Sequence, residues 1–190
     1  MKAIIPVAGA GTKLRPHTYT QPKALIPLAG KTILSIIIDQ LKEGGISEFI
    51  LIVGYLGDKI KDYVQLKYPD LQFHFVHQND RHGLGHAIFL TREMAGDDEI
   101  FIVLGDTICE YDVQDFVSQP GSVLGVKKVD DPRNFGVAEI EDEANITKVV
   151  EKPQIPKSNM ALVGIYKIRE TQLLFKCLET NLREGVKSYD

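Results

Sequence analysis

At 190 residues, 44% hydrophobic and 25% charged, the chain has an ordinary soluble globular composition and is long enough for one domain with a proper core. Its net charge of −4 excludes the broad cationic footprint of a nucleic-acid binder, and its two cysteines are too few for a disulfide framework. No apolar run reaches membrane-spanning length, so no membrane partner is expected.

The chain opens on KAIIPVA, an apolar run that reads as a buried strand, and passes directly into the bare cationic loop GAGTKLRP (residues 9–16). This interruption breaks the layout of a signal peptide and leaves a reducing, cytoplasmic compartment as the expectation. TILSIIIDQLKEGG places Ile33, Ile36, Ile37 and Leu41 on one helical face and ends at Gly44-Gly45, a C-cap signal. FILIV is a second buried strand, and GDKIKDYVQLKY a second helix stopped by Pro69. LQFHFVHQ alternates as a strand does, GLGHAIFLTREMA reads as a helix, and EIFIVLGD is another strand. YDVQDFVSQ is a short helix and SVLGVKKV a further strand. This β-α-β rhythm predicts an α/β fold with a Rossmann-like, open, mostly parallel sheet and helices on both faces.

From about residue 132 the pattern changes. NFGVAEIEDEANITKVVEKP and MALVGIYKI read as hairpin strands around an acidic turn, and TQLLFKCLETNLREG as a terminal helix. No repeat or long linker interrupts the chain, which stops abruptly at VKSYD, an end that fits a trimmed chain at least as well as a natural terminus.

Charge is unevenly spread. Residues 1–38 carry Lys2, Lys13, Arg15, Lys23 and Lys31 and no acid, so this stretch is +5 and the remainder −9. A local cationic site on an acidic protein suits a small anionic ligand. Three phosphate-binding patterns compete for the loop. A P-loop needs G-x-x-x-x-G-K-[ST], but the position five before Gly30 of GKT is Leu25, and Pro27 interrupts it. A dinucleotide fingerprint needs a third glycine where Leu14 stands and an acid earlier than Asp39. The third pattern keeps the loop at the carboxyl end of the first strand, where open α/β sheets bind ligands, with Lys13 and Lys23 converging on a triphosphate.

PVAGAGTKLRPHTYTQPKALIPLAGKTIL resembles the signature A-G-x-G-T-R-L-x-P…P-K-x-L-x-P…G-K-x-I of the sugar-1-phosphate nucleotidylyltransferases, or NDP-sugar pyrophosphorylases. Gly9, Gly11, Thr12, Leu14, Pro16, Pro22, Lys23, Leu25, Pro27, Gly30 and Lys31 match it. Lys13 departs, replacing the usual arginine fork with a point charge. QNDRHGLGHAI, LGD, NFGVAEI and EKPQIPKSNMALVGIY resemble four further segments of that family in the same order. The resemblance runs from residue 2 to about residue 168.

The resemblance implies a single nucleotidyltransferase domain over 1–190. Residues 1–130 would form its nucleotide-binding half, 131–170 its sugar-phosphate-binding strands and 170–190 a terminal helix. It implies a nucleotide site at Ala8, Gly9, Gly11, Thr12, Gln78 and Gly83, with Gln78 on the base edge. A sugar-phosphate site would follow at Gly136, Glu151, Lys152, Asn159 and Gly164. Lys13 would meet the β- and γ-phosphates, Lys23 would stabilise the α-phosphoryl transition state, and Asp106 would hold Mg²⁺. The reaction implied is NTP plus sugar-1-phosphate giving NDP-sugar and pyrophosphate. A phosphate monoester is already anionic near neutral pH, so no Ser-His-type activation is required, and none is visible. Uridine or thymidine leads for the base and glucose for the sugar, with a mannose-1-phosphate guanylyltransferase type as the alternative. Homo-oligomers are common in the family. The second metal-binding aspartate of the family, from a W-x-D-x-G-like segment, does not occur before Asp190. A non-catalytic regulatory or assembly module therefore remains the reading from another class.

Plainer explanations apply elsewhere. His82 and His86 are spaced i,i+4, but two glycines lie between them and no third ligand is evident, which argues against zinc. Glu110, Asp112 and Asp115 read as helix-start charges and the acidic turn at 141–143 as a solvated tip. Glu151-Lys152 alone would be a surface ion pair of little worth.

Overall fold

The computed structural model describes residues 1–80, 82–142 and 145–185. Part of the acidic turn (143–144), Arg81 and the final VKSYD lie outside the described residues. Strand β1 (Lys2–Pro6) leads through three 3₁₀ turns to a small antiparallel ribbon, β2 (Pro27–Leu28) with β3 (Lys31–Thr32). Then come α1 (Ile33–Glu43), β4 (Glu48–Val53), α2 (Gly57–Lys67), β5 (Gln72–His77), α3 (Gly83–Phe89) and α4 (Arg92–Ala95). The rest is β6 (Ile100–Val103), α5 (Val113–Ser118), β7 (Val123–Lys128), β8 (Gly136–Glu141), β9 (Asn145–Glu151), β10 (Met160–Ile168) and α6 (Thr171–Arg183).

Alternation along the central strands builds two cores. Ala3 and Ile5 of β1, Phe49 and Leu51 of β4 and Phe101 of β6 face α1, α2 and α5. Ile4, Ile50, Ile52 and Ile102 face the other side, against Ala87 and Ile88 of α3 and Phe175 of α6. Strands buried on both faces are why these segments read as continuous apolar runs. Helices do cover both faces, as expected.

The sheet order is β5-β4-β1-β6-β10-β8-β9, with β7 also paired to β10. Its first four strands are parallel, and every pairing that involves β10 is antiparallel, as is β8 with β9. The β-α-β rhythm would have made β7 a parallel neighbour of β6. Instead β7 runs in the same direction as β6 but one place removed, because β10 returns between them. Strand β10 is the long joint: Ile165–Ile168 pair with β6, while Met160 and Ala161 pair with β8. The register on its β7 edge shifts between Leu162 and Tyr166, across Gly164 at φ +81°. A Cβ at Gly164 would press on Leu104 and on Thr107 Oγ1, so both the backbone and the space demand glycine.

Two local readings change. The buried stripe of α1 is Leu34, Ile37, Ile38 and Leu41, rather than one including Ile33 and Ile36. With apolar residues at nearly every position from Ile33 to Ile38, periodicity fits two faces and tertiary packing selects one. GLGHAIFLTREMA forms two short helices. Buried Thr91 sits between them, and its Oγ1 donates to Ile88 O at 2.7 Å.

Lys167 on β10 is only 2% exposed, and backbone carbonyls receive its charge. Its Nζ donates to Val117 O at 3.0 Å and Gln119 O at 2.5 Å, tying the end of α5 to the sheet. Hydrogen bonds from a charged donor contribute about 1.5–3 kcal/mol. Lys167→Met keeps the length and loses both, and is expected to cost about 1–3 kcal/mol in urea unfolding.

Candidate active site

Parallel β1 and β6 end side by side, and beyond them the sheet opens. Leu104 N donates to Gly164 O at 2.9 Å, after which the chain following β6 leaves β10, whose edge is then taken up by β8. The crevice between these departures is an open cavity of about 700 Å³ at the carboxyl ends of the strands.

The cationic loop meets the cavity at Gly9. Gly11 takes φ +59° and begins the first 3₁₀ turn, and Thr18 Oγ1 donates to its carbonyl at 2.8 Å. A Cβ at Gly11 would meet Thr18 Cγ2 at 2.8 Å and Lys23 Cβ at 3.1 Å, so this glycine is required by the chain itself. Gly9 differs: a Cβ there meets nothing within 4 Å, and Gly9 lines the cavity. The far side of the loop is pegged by Tyr55 Oη donating to Tyr19 O at 2.9 Å and by Lys59 Nζ donating to Thr20 O at 2.7 Å.

The cations of the first 38 residues divide by use. Lys2 pairs with Asp98 at 3.1 Å at the opposite end of β1, and Lys31 with Asp39 at 2.9 Å. Partial burial raises the Asp39 carboxyl, but hydrogen bonds from Lys31 and Tyr68 outweigh this and hold it below its ordinary value. Arg15 lies over the Tyr19 ring at 5.1 Å. Lys23 alone of the five lines the cavity, with its Nζ 2.6 Å from Asp106 Oδ2. Lys13 is exposed on the outer loop.

A second oppositely charged pair shares the cavity. Gly136 faces Glu151 across the β8–β9 ladder, and Lys152 Nζ is 3.3 Å from Glu151 Oε1. Lys152 sits at φ +42°, a region costly for a side-chain-bearing residue, with its N–H donating to Phe135 O at 3.0 Å. Behind this pair, burial and then the Glu151 charge push the Tyr166 phenol up. Burial likewise pushes the Cys109 thiol up, which disfavours a thiolate nucleophile.

Gly9, Lys23, Asp106, Gly136, Glu151 and Lys152 thus come together. Ala8 is buried directly behind Gly9, and Thr12 is exposed beside Lys13. Gln78 and Gly83 meet at the start of α3, where Gln78 Nε2 donates to Gly83 O at 3.2 Å, next to the cavity-lining Leu84. Asn159 is exposed before β10 and accepts from Val129 N, while Gly164 lies behind Leu104. Leu84, Leu104, Asn134 and Phe135 also line the cavity and were not singled out. Phe135 carried a signal: a large aromatic, 45% exposed here, placed directly before a glycine at a strand start.

Among the described residues no cluster of three His, Cys, Asp or Glu side chains is placed to hold a metal. Mg²⁺ uses few carboxylates and keeps water and substrate phosphates as ligands. Asp106, 55% exposed in the cavity, fits an ion of that kind as a single carboxylate donor.

The nucleotidyl transferase family model matches residues 2–188. A bifunctional protein GlmU of Methanocaldococcus jannaschii is 42% identical over 167 residues, covering 88% of this chain and 40% of the relative. A glucose-1-phosphate thymidylyltransferase of Streptomyces griseus is 35% identical over 172 residues, covering 87% of this chain and 48% of the relative. A UDP-glucose pyrophosphorylase solved with UDP-glucose superposes with a TM-score of 0.83 at 25% identity, covering 94% of this chain and 79% of the other. The chain spans less than half the length of the two sequence relatives.

The two loop glycines separate in a simple experiment. Gly11→Ala forces a left-handed alanine and a clash, and is expected to lose about 1–2 kcal/mol or more. Gly9→Ala is expected to leave thermal unfolding close to that of the unsubstituted chain, since its Cβ enters open space.

Proposed function

The chain belongs to the nucleotidyl transferase family, and from that premise we propose that it transfers a nucleotidyl group from an NTP to a sugar-1-phosphate, releasing pyrophosphate. One observation carries the reading: two oppositely charged pairs, Lys23–Asp106 and Lys152–Glu151, share a single cavity at the strand ends. Joining two polyanions needs two cationic stations and an approach free of side chains, and Gly9 leaves that approach open.

In this scheme an oxygen of the sugar phosphate attacks the α-phosphorus, a P–O bond forms, and pyrophosphate leaves with the electrons of the broken bond. Lys152 holds the attacking phosphate and Glu151 accepts from sugar hydroxyls. Lys23 moves from Asp106 to the α-phosphoryl oxygens, where charge builds. Lys13, outside on the loop, meets the β- and γ-phosphates. Asp106 would hold Mg²⁺, which would supply neutralisation of phosphate charge. No side chain has to remove a proton from an already anionic nucleophile. Gln78 reads the base, with UTP or dTTP favoured, and glucose-1-phosphate is the favoured acceptor. The named activities of the thymidylyltransferase relative and the UDP-glucose pyrophosphorylase support that pair.

The test is pyrophosphate release with Mg²⁺ across a grid of NTPs and sugar-1-phosphates, beside nucleotide binding by calorimetry. One pair, UTP or dTTP with glucose-1-phosphate, is expected to dominate. Asp106→Asn should lower its turnover by about 100-fold or more. Lys152→Met should raise the KM for the sugar phosphate about tenfold while leaving that for the NTP near its original value. Nucleotide binding without turnover across the grid would make the chain a binding module instead.

A further inference from the structure

The Gln78 amide is held from one side by two groups. Its Nε2 donates to Gly83 O at 3.2 Å and lies 3.4 Å from His86 Nδ1. A carbonyl oxygen only accepts, so the contact with Gly83 identifies this end of the amide as the NH₂ group. An Nδ1 that accepts from this NH₂ group leaves the ring proton to Nε2. The Gln78 backbone is fixed as well, its N–H donating to Val53 O at 2.9 Å. The His82 ring stands edge-on to His86, with centroids 5.2 Å apart and planes at 83°.

We propose that His86 is a positioning residue that keeps Gln78 Oε1 turned outward as an acceptor, and so selects nucleobases presenting an N–H donor at that edge. The inference rests on the reading above that Gln78 meets the base. Reversing the amide would set Oε1 against the Gly83 oxygen and the His86 lone pair together. With His86 in place the amide has two anchors against reversal; without it, one. An outward acceptor matches the N3–H of uracil or thymine and the N1–H of guanine. It opposes the lone pair at N3 of cytosine and N1 of adenine. UTP and CTP are nearly equal in size and opposite at this edge, so their affinity ratio reads the orientation of the amide directly.

The experiment is calorimetric titration of the chain with UTP and with CTP in Mg²⁺, for the unsubstituted protein and for His86→Leu, His86→Phe and His86→Gln. The unsubstituted chain is expected to favour UTP. His86→Leu and His86→Phe fill the space without accepting, and should shrink the UTP-to-CTP ratio by about tenfold. His86→Gln brings an oxygen that accepts from Gln78 and should restore the ratio, which a purely structural loss would not do. Two non-accepting variants are used so that one poorly folded protein does not decide the matter. A ratio unchanged in a folded non-accepting variant, with UTP still preferred, would overturn the role of His86 and leave base reading by Gln78 standing. A ratio lost equally in His86→Gln would also overturn it. Failure of the unsubstituted chain to bind UTP or CTP would overturn the inference, and failure to bind any NTP of the grid above would overturn the proposed function itself.

Discussion

One strand has to satisfy more neighbours than a strand normally has, and the architecture turns on how it does so. β10 offers one edge to β7 and divides the other between β6 and β8. The division is possible because the chain bends at Gly164, where any side chain would run into Leu104 and Thr107. The parallel half and the hairpin half are therefore continuous through a single strand, yet they part at the point where that strand changes partner. The cavity lies in that parting. Its charged residues reach it from the 3₁₀ turn at Lys23–Leu25, from the chain that follows β6 and from the end of β9.

Without ligand, the site neutralises itself. Lys23 rests on Asp106 and Lys152 on Glu151, and all four side chains keep between 34% and 55% of their exposure. Exposed pairs of this kind contribute about 0–1 kcal/mol, so anionic ligands can displace them at little cost. On the proposed function, binding of phosphates would free both cations from their carboxylates. The left-handed backbone at Lys152 points the same way, since a strained residue beside a cavity is held by its surroundings rather than by its own preference.

The sequence made the parallel half legible because its strands are buried on both faces and α1 and α2 stop at Gly44 and just before Pro69, signals that act over a few residues. It made Lys23, Asp106, Glu151 and Lys152 visible because each sits in a motif with an ordered set of neighbours. It could not place β7, whose position depends on a strand 30 or more residues later returning beside β6. Nor could it separate Gly9 from Gly11, since one is required by its own chain and the other has open space beside it. The apolar lining was hidden for a different reason. Leu84 and Leu104 carry no chemistry of their own, and only the fold brings them to the charged groups.

The pegs that Tyr55 and Lys59 place on the carbonyls of Tyr19 and Thr20 have a consequence for binding. A glycine-rich loop left to itself samples many shapes, and a ligand that required one of them would lose affinity to the entropy of ordering it. Here two side chains from the α2 region fix the far arm, and Thr18 clasps the near one at Gly11. The loop's freedom is surrendered once, when the chain folds, so an NTP bound as proposed would find the backbone already ordered.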